Sequence, residues 1–599
     1  MRRDAFNELP REMTSSLRLA LVALSLLVVL VNSATAQSSV TAADQPHRSG
    51  TITGRVISDD GQPIPRARIN VIGRASTRSP RGSLDIVTDD EGNFRADGLD
   101  PAPYSVYASA PGFVLAPDST ATDPLQLNEL RFHRLGEAIT ITMVKGGVIT
   151  GKVMNPAGEP VIGITVSAIR VRDESGRLNE SASYQRPRIT DDRGIYRLYG
   201  LAPGTYLVMA GGSGVYSSAY TPFTGKTPVY YPSATRDTAS EITVRSSEEV
   251  TNIDLRYRGE RGHSISGKVT GASASTRQVM SANVYLKQAN TGALFGNKYI
   301  QPGDQNGFAF YAVPDGEYEV VAIHGGSPDI DMMSTSPRRV TVRGNDVTGI
   351  ELTLVASASI AGNLIMEKLP ADANRQKCES KRESSVEETV LVARPEDETE
   401  QSRRSRPPFE TPPITTPTEK GEFIIRNLKA RRYRVESKLP DETWYVKTIT
   451  LKTAATAPAT DPGRNGLALK SGERAVGMTI TLAEGAAGLK GKVAAPAGKK
   501  LPDQVRVHLV PAEKEAADQV LRYAEAKAGS DGAFSFSNLA PGKYWIIAKA
   551  VIEEKTIRLV AWDNVERGKL RREAEAANAA IELQTCQRKM DFIVPLLAK

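Results

Sequence analysis

The stretch Thr88–Gly112, TDDEGNFRADGLDPAPYSVYASAPG, is dense in turn residues, with aspartates, glycines and prolines breaking up short apolar runs. Two readings compete: an acidic metal loop, or the turn of a β-hairpin. The pattern recurs as TDDRGIYRLYGLAPGTYLVMA from Thr190 and SDGAFSFSNLAPGKYWIIAKA from Ser530. Looser copies are DQNGFAFYAVPDGEYEVVAIH from Asp304 and EKGEFIIRNLKARRYRVESK from Glu419. A pattern written five times is architecture before it is chemistry.

In four copies a glycine precedes an aromatic by two residues: Gly92/Phe94, Gly194/Tyr196, Gly421/Phe423 and Gly532/Phe534. A tyrosine follows each glycine by twelve, at Tyr104, Tyr206, Tyr433 and Tyr544, and Gly307 precedes Tyr318 by eleven. The run after each aromatic alternates at period two, so one face is buried. Ala-Pro-Gly-Lys-Tyr reads as a turn, with proline fixing one φ and glycine admitting a positive one. The apolar run from each tyrosine reads as a buried strand. A calcium loop needs oxygen ligands at alternate positions and a closing Glu. Asp89, Asp90 and Glu91 are adjacent and nothing nearby closes a cage, so the turn is the better reading.

Each copy opens on a β-rich signature: TITGRV at Thr51, VITGKV at Val148, SISGKV at Ser264, SIAGNL at Ser359 and GLKGKV at Gly488. Their central glycines, Gly54, Gly151, Gly267, Gly362 and Gly491, are 97, 116, 95 and 129 residues apart. That period exceeds a solenoid unit and suits whole domains. Short strands with turns every 8 to 12 residues are the pattern of an antiparallel β-sandwich. The expected fold is all-β: about five tandem Ig-like sandwiches at 50–144, 147–258, 261–355, 357–484 and 487–597. Joints as short as Lys145-Gly146-Gly147 lead to the expectation of a semi-rigid rod. The fourth copy is long, and its polar, Pro-rich excess is read as a surface loop over about 371–420. GKLRREAEAANAA from Gly568 reads as a short helical insertion in the fifth.

The N-terminus reads as a secretory signal over 1–36, followed by a linker at 37–49. Arg18 precedes the apolar run Leu19–Val31, and Ala34-Thr35-Ala36 offers a cleavage site. Thirteen residues are short for a membrane span, although an uncleaved anchor is the alternative; no later segment is apolar enough to span. The protein is thus expected to be exported, to the periplasm, the cell surface or the medium. Cys378 and Cys586 fall in different copies and are read as unpaired or intermolecular thiols. The formal charge of +7 is spread over 24% charged residues of both signs. No basic stripe with interleaved aromatics occurs, so nucleic acid is not an expected partner.

The constellation resembles the carboxypeptidase regulatory-like domain, a transthyretin-like sandwich. ITGKVMNPAGEPVIGITVSA from Ile149, together with the Thr190 stretch, carries the likeness. The resemblance implies a scaffold lying near carbohydrate-binding sandwiches, rarely holding a catalytic residue, and found beside peptidase catalytic domains.

No chemistry-bearing motif stands out. None of His47, His133, His263, His324 and His508 has Glu three residues on or a second His at metal spacing. His508, in VRVHLVP, reads as a surface strand position. GGSGVYS at Gly211 lacks the context of a nucleophile elbow, and no phosphate loop occurs. No catalytic, cofactor or metal residues are therefore assigned, and no cofactor is expected. The most suggestive segment is GVYSSAYTPFTGKTPVYYPSATRDTAS from Gly214. Its Tyr216, Tyr220, Phe223, Tyr230 and Tyr231 either stack on sugar rings or pin the loop across its own sandwich. Trp444, Tyr445 and Trp545 read as core. The expected role is a non-enzymatic scaffold whose loops bind polysaccharide, peptidoglycan or envelope proteins. The alternatives are a structural spacer, a protein-interaction rod, or an accessory chain of a separate peptidase.

Overall fold

The computed structural model describes residues 50–597, apart from 75–83, 117–131, 175, 177–186, 213–222, 224–225, 272–280, 291, 293, 302–305, 326–331, 371–377, 379–381, 399–412, 454–457, 496–499, 503 and 552–558. Five hydrophobic clusters follow one another, over residues 52–143, 149–257, 265–354, 358–482 and 487–594. Each lies between two facing layers of strands, which in the third are joined into one eight-stranded sheet through Met333–Ser334. In the first sandwich one sheet runs Asn93–Leu99, Gly50–Ser58, Ala138–Lys145, Phe113–Leu115. The other runs Leu84–Val87, Arg68–Gly73, Tyr104–Ser109. Period-two burial along Asn93–Leu99 puts Phe94, Ala96 and Leu99 inside, as alternation demands. One pairing is not legible as a hairpin: the first strand of each sandwich runs parallel to its last. A parallel pair needs a long crossover, and the whole domain supplies it.

The signature glycine and the hairpin aromatic face one another in all five copies. Gly54 pairs with Phe94, Gly151 with Tyr196, Gly267 with Phe308, Gly362 with Phe423 and Gly491 with Phe534. The glycine is required by close approach. A Cβ on Gly54 would sit 2.5 Å from the Ile139 carbonyl oxygen and closer still to the Phe94 ring. The ring covers the bare strand and replaces the packing a side chain would have given.

The repeated tyrosine is buried, and its hydroxyl donates to the carbonyl four residues earlier. The pairs are Tyr104–Asp100 at 2.7 Å, Tyr206–Ala202 at 2.5 Å, Tyr318–Pro314 at 3.0 Å, Tyr433–Lys429 at 3.0 Å and Tyr544–Ala540 at 2.6 Å. A buried hydroxyl without a partner would be costly; here it ties the turn to the strand it starts. The Asp89 stretch is a turn: Asp89 Oδ1 accepts from the Asn93 amide at 2.6 Å and Gly92 holds φ at 77°. Asp191 repeats this with Ile195, and that backbone bond holds its carboxyl below the usual range.

A bulge with left-handed backbone ends each hairpin strand, at Gly98, Gly200, Ala312, Asn427 and Asn538. Four of the five meet the preceding sandwich. Gly146 lies against Gly200, and Gly262 against Ala312. Asn427 Oδ1 accepts from Met332 N at 3.1 Å. Asn538 Nδ2 donates to the Asp441 and Trp444 carbonyls, both at 2.7 Å.

Three expectations are corrected. Cys378 and Cys586 form a disulfide, linking the fourth sandwich to the fifth across 208 residues; sequence distance hid this because both ends fold back to one joint. The stretch taken as a long loop contains the strand Val390–Pro395, at the centre of a sheet. It is apolar on both faces, so its strand signal was brief among charged flanks. The segment on from 399 lies outside the described residues. His508 is buried, because the helix Asn564–Ala577 and its flanking turns cover that sheet's outer face. Contacts also join sandwiches that are not neighbours in the chain. Lys438 of the fourth sandwich lies over the Phe132 ring of the first, 5.8 Å from its centroid.

Candidate functional site

The aromatic loop leads into a cleft between the second and third sandwiches. Tyr216 and Tyr220 lie outside the described residues. Phe223 is half-buried and set edge-on to Tyr257, centroids 5.7 Å apart. Tyr230 pairs with Met209 as a short edge strand, and its side chain is buried with Ile169, Leu207 and Met209. Tyr231 packs on the second sandwich's core. Of the two roles open to these residues, the packing supports pinning: Val229–Tyr230 joins a sheet edge, and Phe223, Tyr230 and Tyr231 pack against the second sandwich.

The pinned loop forms one wall of a cavity of about 350 Å³, with the joint as its floor and the third sandwich opposite. On the loop side burial pushes the Tyr230 phenol pKa up, and the neighbouring Arg236 opposes the shift. The floor is the joint Arg258–His263. Thr227 N donates to Glu260 O at 2.9 Å, and Arg258 lies 3.7 Å from Glu260. On the far wall, Asp315 lies 3.5 Å from His263 and accepts from Gly344 N at 2.8 Å. Phe295 is half-buried there, edge-on to Tyr318 at 5.6 Å. The hydroxyl of Tyr318 is occupied by Pro314, so Phe295 is the aromatic surface this wall presents. Asn290 stands exposed beside it. Sequence reading passed over Phe295 and Asn290, because a phenylalanine in a strand and an asparagine in a turn carry no signal of their own.

A second cavity, about 510 Å³, lies where the first, fourth and fifth sandwiches meet. His133, Arg134 and Glu137 line it from the first, and Lys438–Glu442 from the fourth. Arg134 is buried, which pushes its guanidinium pKa down, while Glu388 across the contact opposes the shift. His133 Nδ1 lies 3.0 Å from Glu137. The other described histidines also serve local contacts: His263 with Asp315, His324 with the Ser281 carbonyl, and His508 with Glu525. Among the described residues no group of three His, Cys, Asp or Glu is placed to hold a metal.

Residues 51–129 match the family model of the carboxypeptidase regulatory-like domain. The first sandwich is such a domain. The other four repeat its glycine–aromatic pair and its tyrosine bond, so the regulatory-like fold recurs in tandem along the chain. No curated protein matches the sequence. Among solved structures, two B repeat units of the collagen binding protein of Staphylococcus aureus share 10% identity over 69% of this chain and 94% of that one, with a TM-score of 0.15. The major pilin subunit of Bacillus cereus shares 9% over 51% and 99%, with a TM-score of 0.13. The Bacillus anthracis TIE protein shares 12% over 51% of this chain, at a TM-score of 0.14, and the match spans half of that protein's length. Scores this low bear on neither ligand nor assembly.

Proposed function

We propose that this chain is an exported, non-enzymatic binding scaffold of regulatory-like domains, with a carbohydrate ligand held between the second and third sandwiches. The observation that carries this is the cleft itself. It lies between two domains, a preferred position for ligand sites, carries one ring surface at Phe295, and is rimmed by hydrogen-bonding side chains. The apolar run behind Arg18 supports export. So does the Cys378–Cys586 disulfide, since such bonds persist in oxidising compartments. The described histidines are engaged in local contacts, which supports a binding role over a catalytic one. The test is retention of the chain from Gln37 on insoluble polysaccharides and peptidoglycan, with Phe295→Ala beside it. Saturable retention on a glycan, lost in the variant, supports the reading. Retention on none contradicts it.

A second reading, a protein-interaction scaffold, is favoured by one observation. The first and fourth sandwiches of this chain already recognise one another without a covalent joint, through Phe132, Arg134, Lys438 and Glu388.

A further inference from the structure

We infer that the cleft between the second and third sandwiches selects an uncharged glycan over an acidic polysaccharide or a charged muropeptide. The inference rests on that cleft being the ligand site and adds the class of ligand it takes. The first ground is charge. Four basic and four acidic side chains line the cavity. A cleft lined by one sign focuses its field on an oppositely charged ligand. Here the signs are interleaved, and two pairs are in contact: Arg258 lies 3.7 Å from Glu260, and His263 lies 3.5 Å from Asp315. A polyanion entering would meet four carboxylates against three arginines, and would have to draw Arg258 away from Glu260 to be held by it. A neutral ligand loses nothing to that balance.

The second ground is the far wall. Phe295 offers an uncharged ring surface, of the kind that takes the C–H face of a sugar. Asn290 beside it is exposed, with an amide that both donates and accepts, matching hydroxyl groups, which do the same. One ring and one amide suit a hydroxyl-rich neutral ring. A cavity of about 350 Å³ lies at the small end of ligand sites, so one or two sugar units of a longer chain would sit within it.

The experiment titrates the full chain with three kinds of soluble probe: neutral hexasaccharides of several linkages, hexagalacturonate, and a disaccharide muropeptide. A neutral hexasaccharide should bind at least tenfold more tightly than either charged probe. Phe295→Ala and Asn290→Ala should each weaken it at least threefold. Asn290 lies on an exposed turn, so its variant keeps the test valid if Phe295→Ala melts the third sandwich. Equal or tighter binding of a charged probe, lost in these variants, would overturn the neutral preference and leave the cleft as the site. No binding by any probe, or binding indifferent to both variants, would overturn the cleft itself.

Discussion

Gly262 lies directly against Ala312: a Cβ on Gly262 would come within 2.5 Å of the Ala312 carbonyl carbon and 2.7 Å of its Cα. Ala312 is itself the left-handed bulge residue of the third sandwich, with φ of 60°. The floor of the cleft and the end of the opposite wall therefore meet backbone to backbone, and this contact sets the spacing of the walls. Valine at 262 must push them apart, and overpacking of this kind costs about 1–3 kcal/mol. Gly262→Val is expected to lower ligand affinity at least tenfold in titration, with a smaller effect on the far-ultraviolet spectrum. Unchanged affinity would show that the two walls do not act together.

The glycine–aromatic pair makes a stability prediction. Gly54→Ala places a methyl against both the Ile139 carbonyl oxygen and the Phe94 ring, and is expected to destabilise the first sandwich by about 1–3 kcal/mol. Gly568 is the contrast. It sits inside the helix Asn564–Ala577, where the nearest atom to an added Cβ is a flexible Arg572 nitrogen 3.7 Å away. Gly568→Ala should therefore stabilise by up to about 1 kcal/mol, because glycine is the poorer helix former. Denaturant melts of both variants check the two signs.

The joint between the fourth and fifth sandwiches is the most heavily tied. Arg434 donates to Glu396, to the Gly463 and Arg464 carbonyls and to the Trp562 carbonyl, and lies 5.2 Å over the Trp562 ring. Arg434→Met leaves Glu396 without that partner, a loss of about 3–5 kcal/mol by the measure of broken buried pairs. The disulfide acts on the same joint. Non-reducing peptide mapping should recover Cys378 and Cys586 in one linked species. Replacing both by alanine should cost about 2–4 kcal/mol. Recovery of free thiols at both positions would contradict the pairing.

Glu525 gives the fifth sandwich a pH dependence. Burial alone would raise its carboxyl pKa, but His508 and Arg506 outweigh burial and hold it below the usual value. The folded chain thus binds this proton less readily than the unfolded chain. The stabilisation is fully present above the unfolded carboxylate pKa of about 4.3 and is lost as pH falls through the lower folded value. Glu525→Gln should melt lower than wild type at neutral pH. Its deficit should shrink as pH falls below about 4.3. A deficit that stays constant down to pH 3 would show that this carboxylate does not set the acid limb.

The repeat was legible because two of its residues are fixed by geometry that tolerates no substitute. Gly151 cannot carry a side chain against Ile253, and the Tyr206 hydroxyl needs the Ala202 carbonyl. The helix read from Gly568 runs over Asn564–Ala577, and its first turn was hidden because it starts earlier, at the Asp563 cap, which accepts from Val565 N and Glu566 N. What stayed hidden depends on partners remote in sequence. His508 alternates like a surface residue until the helix covers it. Val390–Pro395 is six residues of strand among charges. Cys378 and Cys586 meet only because the fourth and fifth sandwiches dock. The aromatic loop did lead to a cleft, through the pinning role of its tyrosines: Tyr230 and Tyr231 hold the wall, and Phe295 of the next sandwich lines the cavity.

The most direct measurement is hydrogen–deuterium exchange of the full chain with and without a saturating neutral glycan. Protection is expected on both walls together, over 227–237 and over 288–295, with the fourth and fifth sandwiches unchanged. Protection on one wall alone, or centred on another sandwich, would contradict a ligand held between the second and third domains.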